Sequence, residues 1–214
     1  MGMVLGVVRE EMPKFALVHR SASYEVRRYA PSVIAEASYG EGGWGGGDGG
    51  PFGTLARYIG VFGTPQNSQA GSPEPIAMTA PVIVTAPQPI AMTAPVLVSP
   101  AGRAAHTMAF VLPASRFKSA AEAPQPTDPR VSLRELPERL QAVRSYSWSF
   151  RPESAKANLQ LLLTDLQRDG WSVRRGKDGE VEWQAAGYNP PFALPFMKRN
   201  EVLVDVDEHS TLSS

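Results

Sequence analysis

The stretch IAMTAPVIVTAPQPIAMTAPVLV, Ile76 to Val98, holds two copies of one seven-residue string, Ile76–Val82 and Ile90–Val96. It lies within a segment that has no charged residue from Pro75 to Gly102. A charge-free run of this length raises the question of a membrane span. Pro75, Pro81, Pro87, Pro89, Pro95 and Pro100 interrupt it, and each proline inside a helix removes a backbone hydrogen bond and clashes with the preceding turn. A continuous helix in lipid is thereby excluded. The string reads instead as buried strand, with PVIV and PVLV as apolar, largely β-branched runs opened by proline, as in short strands that end at edges or bends.

Working outward toward the N-terminus, strands are expected at Phe15 to His19, at YEVRRY (Tyr24 to Tyr29) and at Val33 to Tyr39, with Pro31 at a turn. GEGGWGGGDGG, Gly40 to Gly50, holds neither periodicity and reads as a loop anchored by Trp44. Pro51 then opens a short helix that runs to Ile59 and is closed by Gly60 and Gly63. On the other side, a polar loop at 64–74 precedes the double string. A strand at His106 to Leu112 and a Pro- and Ala-rich connector, 113–129, follow it. Further strands are expected at 131–136 and 140–150. The strongest helical pattern in the chain is opened by Pro152 and closed by Gly170, with Ala155, Leu159, Leu162, Leu163 and Leu166 at helical spacing. Strands at 181–188 and 200–206 complete the order. Strands, helix and strand pair thus occur twice, which predicts an α+β fold: a curved antiparallel sheet of two similar halves with two helices outside.

The chain has 214 residues, 43% of them hydrophobic, enough for one core. Lys and Arg balance Asp and Glu at 21 each, so no net field attracts nucleic acid or an anionic membrane. The absence of cysteine excludes disulfides, thiolate haem ligation and Cys-type metal sites. The apolar patch at the N-terminus is short and runs into Arg9, Glu10 and Glu11, which is unlike a signal peptide; the expected location is the cytoplasm. GxSxG, HExxH, P-loop and Rossmann glycine patterns are absent from the sequence, and no enzymatic activity is expected.

YEVRRY, ARYIGVFG, the doubled IAMTAPV, APQPTDPRV and AGYNPPFALPFMKRNEVLVDV, in that order from about Phe15 to Val206, together resemble the SOUL haem-binding protein family, most closely its plant and algal cytosolic-type members. The resemblance implies a monomeric, distorted antiparallel β-barrel of two pseudo-symmetric halves with two outer α-helices. It divides the chain into an N-terminal extension (1–14), one haem-binding domain (15–206) and a polar tail (207–214). The implied ligand is haem b or a related tetrapyrrole, bound noncovalently and reversibly, as by a carrier or buffer in the cytosol. Carried over by motif, an apolar groove would draw Leu55, Tyr58 and Ile59 from the first helix and Phe192, Leu194, Phe196 and Met197 from the loop before the last strand. Arg57 would pair with a propionate, with Lys198 and Arg199 as further basic candidates. Animal relatives place a lysine soon after the double proline, where this chain has Phe192, Ala193 and Leu194.

Each residue also has a plainer reading. Leu55 and Ile59 fit the core face of an amphipathic helix, Arg57 an ordinary solvated position, and Met78 and Met92 core filler rather than iron ligands. His19 and His106 are the weak candidates for an iron ligand, and His209 falls in the polar tail. Two other functional classes stay open: a ligand-sensing or protein-interaction module related to effector-binding domains, and a haem-dependent enzyme.

Overall fold

Two-residue alternation builds one large sheet, and two helices cover one of its faces. A computed structural model of the chain describes residues 10–39, 50–88, 105–189 and 198–208. The first strands are β1 (Phe15–Arg20), β2 (Glu25–Tyr29) and β3 (Ser32–Tyr39), followed by helix α1 (Pro51–Ile59) and a two-residue strand β4 (Asn67–Ser68). Then come β5 (Val82–Gln88), β6 (Ala105–Val111), β7 (Gln125–Pro126), β8 (Val131–Leu136) and β9 (Arg139–Tyr146). Helix α2 (Pro152–Arg168), β10 (Trp183–Gly187) and β11 (Asn200–Asp205) complete the order.

Nine strands form one antiparallel sheet in the order β1-β2-β9-β11-β10-β5-β6-β3-β8, and β4 pairs with β7 in a separate small ribbon. Because β1 and β8 stay at opposite ends of that order, the sheet is a curled half-barrel rather than a closed one. Its two halves repeat. β8, β3, β6 and β5 carry α1, while β2, β9, β11 and β10 carry α2, and β5 against β10 joins them. The strand that precedes each half is exchanged: β2 pairs with β9, and β8 pairs with β3.

Local chemistry sets the helix ends. Both helices have proline in the first turn, where its missing N–H costs nothing. Gly60 closes α1 at φ 88, donating its N–H to the carbonyls of Ala56 and Arg57, a left-handed cap that glycine adopts without strain. β9 stops at Tyr146, short of the expected Phe150, two residues before Trp148 at φ 78.

The doubled string departs from its reading as strand over Ile76 to Pro81, while the VIV of the expected PVIV strand lies in β5 (Val82–Gln88). In the first copy only Val82 is in β5; Ile76 to Pro81 form an irregular segment whose buried residues are Ile76, Thr79, Ala80 and Pro81. The backbone N–H of Ile76 goes to the carbonyl of Ile59 and that of Ala80 to Glu11, so this segment is tied to α1 and to the N-terminal residues instead of to a strand. The second copy, Ile90–Val96, lies outside the described residues, as does the loop at 40–49.

Under α1, Val33, Ala35 and Ala37 of β3 and Met108, Phe110 and Leu112 pack with Leu55, Tyr58 and Ile59. Under α2, Val26, Ala142, Val202 and Val204 pack with Leu159, Leu162 and Leu166. Each such leucine contributes about 1.5–3 kcal/mol of burial. Asp207 and Glu208, expected in the tail, are held at the sheet by Arg174 and Arg28.

Candidate ligand-binding site

Apolar surface reaches solvent at the end of α1, as it also does at Phe15, Leu17 and Val18 of β1, at Trp148 and at Leu161 of α2. Leu55 and Tyr58 are fully buried and Ile59 nearly so; all three face the sheet and hold the helix down. Tyr58 donates its hydroxyl to the carbonyl of Pro124 at 2.9 Å, and burial pushes its phenol well above the ordinary value. These residues present the core side of the helix, and a ligand at this end meets others. Just past the Gly60 cap, Val61 is 48% and Phe62 59% exposed, and Met78, expected as core filler, is 39% exposed. Val61 and Phe62 follow Ile59 closely and Met78 follows Ile76, so both sit on the two segments joined by the Ile76–Ile59 backbone bond.

A buried amide holds this corner in shape. Asn67 donates from Nδ2 to the carbonyls of Tyr58 and Glu74, both at 2.8 Å, and its Oδ1 accepts from the Glu74 N–H at 2.8 Å. Arg116 adds an ion pair to Glu74 and a hydrogen bond to the carbonyl of Pro75. The turn that presents Met78 is therefore pinned to the helix end from two sides. Arg57 is half-buried. Asp128 is held below the usual carboxylate range chiefly by the hydrogen bond from Arg130, with a smaller pull from Arg57.

The remaining sequence candidates are dispersed. Lys198 is half-buried immediately before β11, and Phe192, Leu194, Phe196 and Met197 lie outside the described residues. Arg199 is committed elsewhere, to Glu201 at 2.7 Å and to the ring of Tyr188 at 4.5 Å. His19 is exposed, with the rings of Tyr24 and Trp171 each 5.8 Å away. His106 stacks on Tyr39 at 5.4 Å. The two histidines thus belong to different halves, His19 to the α2 half and His106 to the α1 half. Among the described residues no group of three or more His, Asp or Glu is arranged to hold a metal ion.

The opposite face of the sheet carries a polar cluster that the sequence reading missed. Glu201 of β11 has no exposed surface. It accepts from Arg27 at 3.0 Å, Arg199 at 2.7 Å, the Tyr188 hydroxyl at 2.6 Å and Ser145 at 3.2 Å. Burial by itself would raise the Glu201 carboxyl, but Arg27 and Arg199 outweigh it and hold it below the ordinary value. Arg27 in turn pairs with Glu25 at 2.7 Å. The available signal was alternation in NEVLVD, which puts Glu201 on the face opposite Val202 and Val204; its partner Arg27 is distant in sequence.

Comparison with known proteins matches the model of the SOUL haem-binding protein family to residues 10–205. The chain belongs to the SOUL haem-binding protein family. No curated protein matches it. Among solved structures, this SOUL chain is similar to the C-terminal domain of EcmrR, with TM-score 0.53 at 6% identity, covering 86% of this chain and 96% of that one. It is also similar to a hydrolase from Listeria innocua, with TM-score 0.51 at 10% identity, covering 89% and 94%. An uncharacterized conserved protein from Listeria innocua has TM-score 0.51 at 11% identity, covering 86% and 92%. At such identities the likeness concerns the fold alone. Among the described residues no helix is long and apolar enough to cross a membrane.

Proposed function

We propose that this SOUL protein binds haem b or a related tetrapyrrole noncovalently and reversibly at the α1 end, as a monomeric carrier or buffer in the cytosol, without catalysis. The observation that carries this reading is the exposed apolar surface of Val61, Phe62 and Met78 beside α1. It suits one face of a flat apolar ring. Arg57, on the same helix, supplies a guanidinium for a propionate, and Lys198 a second cation. Leu55, Tyr58 and Ile59 form the packed layer beneath, and the family resemblance alone adds Phe192, Leu194, Phe196 and Met197. Iron ligation by His19 or His106 is secondary, which fits a protein that hands its ligand on. A ligand-sensing module for cationic aromatics is the weaker reading, because the buried carboxylate of Glu201 is already matched by Arg27 and Arg199.

The test is a titration of the full chain with hemin and with metal-free protoporphyrin, followed by the Soret band and tryptophan quenching. Both ligands are expected to saturate with similar affinity. Phe62→Asp should weaken both at least tenfold, and Arg57→Ala should cost about 1–2 kcal/mol of binding. Failure of both porphyrins to saturate, with tight binding of a cationic aromatic dye, would replace the proposal by the sensing module. A bis-histidine spectrum would overturn its ligand-release aspect.

A further inference from the structure

At the end of β6 the sheet borders a cavity of about 290 Å³. Val111 packs with Ile34 and Ile83, Leu112 packs with the layer under α1, and both line the cavity. Another wall is the chain just before β1, residues 11–14, which is strapped down at three points. The Glu11 carbonyl accepts from the Ala80 N–H at 3.2 Å and the Lys14 carbonyl from the Ala30 N–H at 3.0 Å. The Glu11 carboxylate accepts from the N–H of Ser115 at 2.9 Å and from its hydroxyl. Thr79, also in the lining, donates its hydroxyl to the Val111 carbonyl. Walls fixed in this way cost a ligand little further ordering.

Met12, Pro31, Val111, Leu112 and Phe117 make the lining more apolar than polar. Its charged groups are Lys14, Lys118 and Glu11. Glu11 is committed to Ser115, whose hydrogen bonds lower its carboxyl more than Lys14 does. The Lys118 ammonium donates to the Ala114 carbonyl, which carries no charge to offset it. Two cations against one engaged carboxylate leave the lining with an excess positive charge. Both lysines are exposed, which places them where the cavity opens to water. Ser32, a further lining residue, is only 9% exposed and its hydroxyl has no partner, a buried polar group that costs free energy until one is supplied.

We propose that this cavity binds a small carboxylate with an aliphatic body, its carboxylate held by the ammonium groups of Lys14 and Lys118 and its chain laid on Met12, Pro31, Val111, Leu112 and Phe117. The excess charge selects an anion over a cation. The apolar lining selects a singly charged carboxylate over a phosphate, whose greater charge is costlier to take from water. The volume lies at the small end of ligand sites, so a chain of a few carbons fits and a tetrapyrrole does not. Thr79 brings the cavity beside Met78 of the tetrapyrrole site, yet the two share no residue, and the proposal does not rest on that reading.

The test titrates the full chain with hexanoate and with its neutral isostere hexanamide, following backbone amide shifts. Saturable hexanoate binding is expected, with the shifts centred on Lys14, Ser32 and Leu112, and hexanamide should bind at least about tenfold more weakly. Lys14→Gln and Lys118→Gln should each weaken hexanoate about threefold, and the double variant about tenfold, as befits exposed cations. The hemin titration of the double variant should match that of the parent. Equal binding of hexanoate and hexanamide, absence of saturable hexanoate binding, or shifts centred away from these residues overturns the proposal; all three are read on the parent protein and hold whether or not a variant folds. Displacement of hexanoate by hemin in direct competition would merge the cavity with the tetrapyrrole site and overturn its assignment as a separate one.

Discussion

The two faces of the sheet are made from the same strands and solve burial in opposite ways. On the face under the helices, β11 offers Val202 and Val204 to Leu159, Leu162 and Leu166. On the other, the alternate positions of the same strand are Glu201, Leu203 and Asp205, and the first is as fully buried as any valine. The helix side is held by area removed from water, which tolerates substitution in proportion to volume. The inner side depends on complete pairing, where loss of one member strands the others. A buried position in this fold is thus not necessarily an apolar one.

Breaking the inner network should have the largest effect. Glu201→Gln leaves the buried Arg27 and the partly exposed Arg199 short of a counter-charge and should cost about 3–5 kcal/mol in a denaturant melt; a cost under 1 kcal/mol would mean that the network is dispensable. On the helix side, Leu162→Ala should cost about 3 kcal/mol, and unlike Glu201→Gln its cost should not change between low and high salt. Alkali gives the smallest contrast. Tyr39 and Tyr146 are pushed up to about 12 by burial. Their raised folded values mean that stability is retained below pH 10 and falls as pH rises toward 12, by on the order of 1 kcal/mol per phenol. Absorbance of phenolate near pH 10 without loss of fold would show these hydroxyls to be wetter than their burial implies.

The elements were legible where the signal is local. Proline at the first turn and glycine after the last gave α1 as Pro51–Ile59, and the leucine spacing gave α2 to within two residues of its end. Alternation located the strands. Their partners were not legible, because β2 and β9 meet across more than a hundred residues and nothing in YEVRRY points to that distance. The same limit hid the Arg27–Glu201 pair. At the candidate site, helical spacing identified Leu55 and Ile59 as one apolar stripe but could not say which apolar residues reach water. Phe62 and Met78 do so because the Gly60 cap ends the helix and the Asn67 clamp folds the next segment back across it.

The exchange of β2 and β8 between the halves has a consequence for folding order. The α1 half receives its outer strand with β8, but β2 has no inner neighbour, and presents an open edge, until the chain has run through β9. Such edges invite pairing with foreign strands, and contacts this distant in sequence form late. A ribosome-bound chain released before Tyr146 emerges would hold α1 and its core but leave β2 without its inner neighbour, and so would be exposed to aggregation until synthesis reaches the second half.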